Sequence, residues 1–258
     1  MSTSADTWPG EAVDYVQAIA DTKLLLGFRY AERMTSGQSI EDDVANMNLA
    51  QEEFGHVRQL YELLSRQGRD REWLEHDRDP GMYANAAPLD EPIVDWTSFV
   101  VTTGVIDRAA WLSADAIAHP DMDGIREKIA QEETYHLERA DAWLEQLAER
   151  EPEEVESALV ETLPGVLAFL GPAAFDAETD PLVAEEFTET SVAERRDKLL
   201  GHYRALLEPT EVSVDAADLT GPDRAEWDAI RRRVTGGSLP TATVEVLQGT
   251  PNRQFAVE

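Results

Sequence analysis

The chain has 258 residues with 52 acidic against 22 basic side chains, a formal charge of −30, which excludes nucleic-acid binding through phosphate neutralisation. It contains no cysteine, so disulfides, thiolate metal sites and cysteine nucleophiles are excluded as well. The hydrophobic share of 42% is enough for a substantial core despite the charge.

Apolar residues recur at helical spacing through most of the chain, and no segment sustains period-two alternation, so the class is all-α. A first helix is expected from Glu11 to Met34, with Val13, Val16, Ala20, Lys23, Gly27, Tyr30 and Met34 on one stripe. Ser36-Gly37 ends it. A second begins near Ser39, where Ser39 to Asp42 approximates a capping box, and continues to Gln67-Gly68 with Leu49, Glu53, His56, Leu60 and Leu63 aligned. Arg69 to Pro92, rich in Asp, Pro, Gly and Asn, reads as a long connection. A third helix covers Ile93 to Ala118, closed by His119-Pro120, with Ile93, Val100, Gly104, Asp107, Trp111 and Ala114 on one face. The fourth spans Asp123 to Arg150 and aligns Ile129, Glu133, His136, Ala140, Trp143 and Leu147. Two more are expected over Pro152 to Leu170 and Pro181 to Leu207; the acidic run Glu151 to Glu156 opens the former with anions that suit the helix dipole.

Four long helices joined by a short loop, a long crossover and a short loop have the layout of a ferritin-like four-helix bundle. The helical domain is placed at residues 1–209 and a C-terminal extension at 210–258. Within the extension a short helix is expected over Arg224 to Val234, and Thr241 to Leu247 reads as β-prone.

One signature occurs twice: Glu53-Phe54-Gly55-His56 on the second helix and Glu133-Thr134-Tyr135-His136 on the fourth. A spacing of three puts carboxylate and imidazole on one helix face, where both can ligate one metal ion. Each pair is in phase with its apolar stripe, and a buried Glu is costly unless paired or metal-bound. In di-metal carboxylate bundles the other two helices each add one carboxylate. Asp107, set among Val105, Ile106, Ala109 and Ala110, supplies one; at the corresponding first-helix position stands Lys23. An ammonium neutralises carboxylates as a metal would, yet it repels a divalent ion and offers no anionic ligand. Three states stay open: a metal-free core in which Lys23 pairs the carboxylates, a single transition-metal ion held by Asp107, Glu133 and His136 with Glu53 as bridge, and a full di-iron site. Elsewhere, His76 and His119 are expected in solvent, His202 as a packed histidine, and Tyr61, Trp96, Trp111 and Trp143 as core aromatics.

Asp21-Thr22-Lys23-Leu24, the segment Asn48 to Arg58, Gly104 to Ala110 and Glu132 to Arg139 make the chain resemble the phenylacetate-degradation family over about Tyr15 to Leu207. These are the ferritin-like subunits of the multicomponent phenylacetyl-CoA epoxidase, in which a catalytic di-iron A-type subunit is scaffolded by a smaller C-type subunit of similar fold. Chain length, Tyr135-His136-Leu137 and Trp143-Leu144-Glu145 are similar to the C-type, whereas Glu53 and His56 are similar to the A-type. The resemblance implies a structural C-type role beside a catalytic A-type partner acting on an aromatic acyl-CoA, in a homodimer or hetero-oligomer, with iron or another transition metal at partial occupancy or absent. The alternative it implies is a metal-dependent oxidoreductase in its own right. Iron storage fits less well, because the first-helix ligand is lost and a C-terminal extension is present.

Lys23, Lys128 and Lys198 are the only lysines. An acidic, lysine-poor surface suits a halophilic, high-salt cytoplasm, where at ~1 M ionic strength the Debye length is ~3 Å and self-repulsion is screened. Met1 to Gly10 has neither a basic start nor an apolar run, and Leu163 to Phe175 is too short and too interrupted by Pro and Gly to span a bilayer. A cytoplasmic protein without membrane contact is therefore expected.

Overall fold

The computed structural model describes residues 8–249; Met1 to Thr7, at the start expected to lack a leader, and Thr250 to Glu258, at the end of the extension, lie outside the described residues. The helices are α1 (Gly10–Glu32), α2 (Ile40–Arg66), α3 (Arg71–His76), α4 (Trp96–Asp115), α5 (Asp123–Arg150), α6 (Pro152–Leu170), α7 (Pro181–Ala184), α8 (Val192–Leu207) and α9 (Thr241–Leu247). α1 pairs with α2 and α4 with α5; α1 then packs on α4 and α2 on α5, with α6 and α8 against α4. This is the all-α ferritin-like bundle, with residues 67–95 as the crossover between its two helix pairs.

Local chemistry starts these helices where the chain needs them. Ser39 Oγ accepts from the Asp42 backbone N–H at 3.1 Å and donates to Asp42 Oδ2 at 2.9 Å, a half-complete capping box. Asp95 caps α4 through the Ser98 N–H at 2.8 Å, and Ser191 with Glu194 forms a complete capping box on α8. Two glycines set the helix spacing. A Cβ at Gly27 would lie 2.7 Å from the Phe54 ring, and one at Gly104 would lie 2.9 Å from Ala140 Cβ. Both positions are within one turn of Lys23 or Asp107, so each helix pair is in close contact near the level of the buried charges.

The crossover is more ordered than a plain loop, because α3 and two 3-10 turns, Pro80–Met82 and Ala87–Leu89, interrupt it. It wraps α1: Arg29 Nη2 donates to the Leu89 carbonyl at 2.7 Å, and Thr22 Oγ1 accepts from Ala86 N–H at 3.1 Å. Every residue from Tyr15 to Lys23 is consequently buried.

Three expectations fail in the C-terminal third. Pro181 to Leu207 is two helices, since Glu186 adopts φ +56° and Thr188 bridges to Ile117 before Ser191 starts α8. Arg224 to Val234 is not helical but holds an antiparallel hairpin, β1 (Trp227–Asp228) with β2 (Arg233–Val234). Asp228 Oδ1 accepts from the Ile230 and Arg231 N–H groups at 3.1 and 3.0 Å and closes the turn, and Arg232 at φ +50° takes the left-handed conformation that ends any helix. Thr241 to Leu247 is α9 rather than extended: Val244 is buried and Gln248 Nε2 donates to the Arg78 carbonyl at 2.7 Å, so tertiary contact overrides the β-preference of Thr and Val.

The hairpin closes the end of α6. Trp227 Nε1 donates to the Ala168 carbonyl at 2.8 Å, Arg232 Nε to Phe169 at 2.8 Å, and Arg232 Nη2 to Leu170. Those last-turn carbonyls have no partner within the helix. Among the described residues no helix is long and apolar enough to cross a membrane.

Candidate metal centre

Lys23 lies at the middle of the bundle, fully buried, and each of its three ammonium donors has its own acceptor. Nζ donates to Glu53 Oε1 at 3.0 Å, to Asp107 Oδ1 at 2.6 Å and to Glu133 Oε1. α1, α2, α4 and α5 thus contribute one charged side chain each to a single cluster. His136 completes it, with Nδ1 3.2 Å from Asp107 Oδ2 and 3.4 Å from Glu53 Oε1, and the Tyr30 hydroxyl donates to Asp107 Oδ2 at 3.4 Å.

The two histidines are held by a crossed arrangement. His136 Nε2 meets Glu52 Oε2 of α2 at 2.7 Å, and His56 Nε2 meets Glu132 Oε2 of α5 at 2.7 Å. Each helix therefore clamps the imidazole of the other through the Glu that precedes its own inward Glu. The clamp turns both Nδ1 atoms toward the cluster; His56 Nδ1 faces Glu53 Oε2 at 3.8 Å and Glu133 Oε1 at 3.9 Å. Glu52 and Glu132 were missed as site residues, although the doubled Glu before each x-x-His was the available signal.

Burial disfavours the Lys23 charge, yet Asp107, Glu133 and Glu53 outweigh it and hold the ammonium well above its ordinary range. Burial also raises Glu53 and Asp107, and in both the Lys23 charge overrides it, so both stay ionised. Glu133 moves the other way, pushed well above the carboxylate range by burial and then by the Asp107 charge. His136 is pushed up to about 11, because hydrogen bonds to Asp107 and Glu53 exceed the effect of its burial. The Lys23 and His136 cations thus face the Glu53 and Asp107 carboxylates, so the core is ion-paired without a metal.

A di-iron pair does not fit these residues. Lys23 brings a cation where a carboxylate ligand would be needed, and it already occupies one oxygen of each carboxyl. Bonding capacity does remain on one side: Glu53 Oε2, Glu133 Oε2 and His56 Nδ1 are buried without a hydrogen-bond partner. One donor atom each from Glu53, Asp107, Glu133 and His136 also falls within 4.8 Å of the others, so the cluster can hold a single metal ion. His56 stands just outside that four-atom set.

The remaining candidates lie elsewhere. His76 is on α3 and 39% exposed, His119 Nδ1 accepts from the Asp121 N–H at 3.2 Å, and His202 pairs with Asp141 at 3.1 Å. Tyr61 and Trp96 are buried and Trp111 and Trp143 half-buried in the core; Trp143 Nε1 donates to Asp42 Oδ1 at 2.9 Å.

The class defined here is an all-α ferritin-like bundle whose buried carboxylate and histidine cluster is compatible with metal binding. Residues 2–234 match the family model described as phenylacetic acid catabolic protein, and the chain belongs to that family. Its process is phenylacetate catabolism. A comparison with curated proteins finds no match.

Proposed function

We propose that this chain is the structural, C-type subunit of a multicomponent phenylacetyl-CoA epoxidase, assembled in the cytoplasm with a catalytic di-iron A-type subunit. The observation that carries this reading is the Lys23 ammonium bonded to Glu53, Asp107 and Glu133. A buried internal cation pairs the carboxyls of the cluster with no need for iron, which suits a subunit valued for its surface. Co-expression with an A-type subunit that has a complete ligand set, followed by size-exclusion chromatography in high salt and elemental analysis of each chain, tests it. The expected result is co-elution, with iron in the A-type chain and less than one metal ion in this one. Separate elution together with acyl-CoA oxygenation by this chain alone would overturn it.

A second reading, a single-metal oxidoreductase using Glu53, His56, Asp107, Glu133 and His136, draws on the three unpartnered atoms of the cluster. One firmly bound metal ion per isolated chain would favour it. The variant Lys23→Glu restores a carboxylate and removes the cation, so its iron content should exceed that of the unaltered chain under the same loading.

A further inference from the structure

Several arginines are buried away from the Lys23 cluster, and Arg232 is one that lines an open pocket. This pocket, of about 280 Å³, opens between the start of α1, the α7–α8 region and the β1–β2 hairpin. Its walls include Phe175, Leu182, Val192, Trp227 and Ile230, and Arg232 lines it. The Phe175 and Trp227 rings meet edge to face at 5.8 Å, and the Arg224 guanidinium lies 5.0 Å from the Phe175 centroid.

Arg232 is 5% exposed, and it is held in place rather than free to swing. Its Nε and Nη2 donate to the Phe169 and Leu170 carbonyls, and its guanidinium carbon stacks 4.8 Å from Tyr15 and 5.1 Å from Trp227. Among the described residues it forms no ion pair, and Nη1 makes no hydrogen bond. A second buried arginine stands close by: Arg195, 1% exposed, also stacks on Tyr15 at 5.6 Å, and its Nε and Nη2 lack hydrogen-bond partners. Burial lowers Arg232 to about 10, with the Arg195 charge adding to the fall and the Asp180 charge opposing it.

None of the pocket's acidic residues forms an ion pair with Arg232. Asp180 Oδ1 accepts from the Leu182 N–H and Oδ2 from the Val192 N–H, at 3.0 and 2.8 Å, and Oδ2 pairs with Arg195 Nη2 at 3.6 Å. Asp14 pairs with Arg69. Glu11 is exposed at the first turn of α1, and Arg224 lines the same pocket. In a chain of charge −30, a pocket with aromatic walls and a buried arginine that has no ion-pair partner among the described residues calls for an explanation.

We propose that this pocket binds a small aromatic carboxylate, its ring against Phe175 and Trp227 and its carboxylate on Arg232. A cavity of ~150 Å³ already holds benzene, so the volume here admits a ring with a short acidic substituent and little more. The carboxylate would complete an ion pair that the protein leaves half-made, and desolvated pairing of this kind discriminates strongly against a neutral analogue.

Isothermal titration of the full chain with benzoate, and in parallel with uncharged benzyl alcohol, tests the proposal. Benzoate should saturate one site with a Kd of roughly 0.1–1 mM, as befits a ligand of about nine heavy atoms, and benzyl alcohol should bind at least about tenfold more weakly. Ile230→Trp, at a wall residue 60% exposed, fills the pocket without touching Arg232 and should abolish binding. Arg232→Gln should do the same with the helical circular dichroism preserved; should that variant fail to fold, Ile230→Trp decides. Absence of saturable benzoate binding, equal binding of benzyl alcohol, or undiminished binding in Ile230→Trp would each overturn it.

Discussion

Two buried ionic clusters start two residues apart on α1, and they are built by opposite rules. At Asp21, one carboxylate meets one guanidinium: Arg78 Nη1 donates to both Asp21 oxygens at 2.7 Å, and Arg78 Nη2 to the Tyr61 hydroxyl at 2.6 Å. The Tyr61 hydroxyl donates to Asp21 Oδ1 at 3.0 Å, the Ala84 N–H donates to Asp21 Oδ2 at 2.9 Å, and the Arg78 guanidinium carbon lies 3.9 Å from the Tyr83 ring centroid. The anion is fully engaged, and the cluster does one thing, which is to lock the crossover onto α1. At Lys23, one ammonium serves three carboxyls and leaves two of their oxygens and His56 Nδ1 without partners. At Asp21 both carboxylate oxygens are bonded and only Arg78 Nε lacks a partner; around Lys23 it is acceptor atoms, Glu53 Oε2, Glu133 Oε2 and His56 Nδ1, that are left over.

Deleting one partner from each cluster separates them most strongly. Arg78→Met should destabilise the chain by about 3–5 kcal/mol, because Asp21 is left as an uncompensated buried charge. Urea unfolding with and without divalent metal should give the same loss in both conditions, since nothing around Asp21 can take an ion. Lys23→Met should cost less in the presence of chelator, about 2 kcal/mol, because the clustered carboxyls can take up protons in place of the ammonium. Added Fe(II) or Mn(II) should restore much of that loss; a Lys23→Met protein that ignores metal would remove the distinction between the two clusters.

The pH response sharpens the same contrast. His136 is raised from 6.5 to about 11, so its contribution to stability is complete below its unfolded value and is lost as pH rises through about 11. Glu133 is raised as well and acts in the same direction. Glu53 and Asp107 are lowered, so their contributions hold above the ordinary carboxylate range and are lost only as pH falls through their depressed values. Arg78 is raised and keeps its charge throughout. The melting temperature should therefore fall between pH 7 and pH 10 in the unaltered chain and fall less in His136→Gln; equal slopes would detach His136 from the cluster.

Salt should act least on either cluster, because buried pairs are poorly screened, and most on the surface. Lowering ionic strength from ~1 M to ~0.05 M lengthens the Debye length several-fold, so the melting temperature should drop. The drop should be the same in Arg78→Met, Lys23→Met and the unaltered chain. A melting curve indifferent to salt would dispose of the high-salt adaptation expected from the acidic, lysine-poor composition.

The long helices could be read from the sequence because their stripes are local: Glu53, His56, Glu133 and His136 share a face with their apolar neighbours through spacing alone. Lys23 was placed by the same phase, and so was Asp107. Only tertiary structure decided the rest. The crossed clamps of Glu52 on His136 and Glu132 on His56 join different helices, so no spacing within one helix reveals them. Arg78 sits in a segment read as a loop, and its role depends on the crossover folding back over α1. The extension shows the limit most plainly. Thr241 to Leu247 carries β-branched residues and forms a helix, while Arg224 to Val234 yields a hairpin set by the Asp228 turn and by its closure over the end of α6. Such short elements have weak propensities of a few tenths of a kcal/mol per residue, and the contacts that outweigh them come from residues far away in the chain.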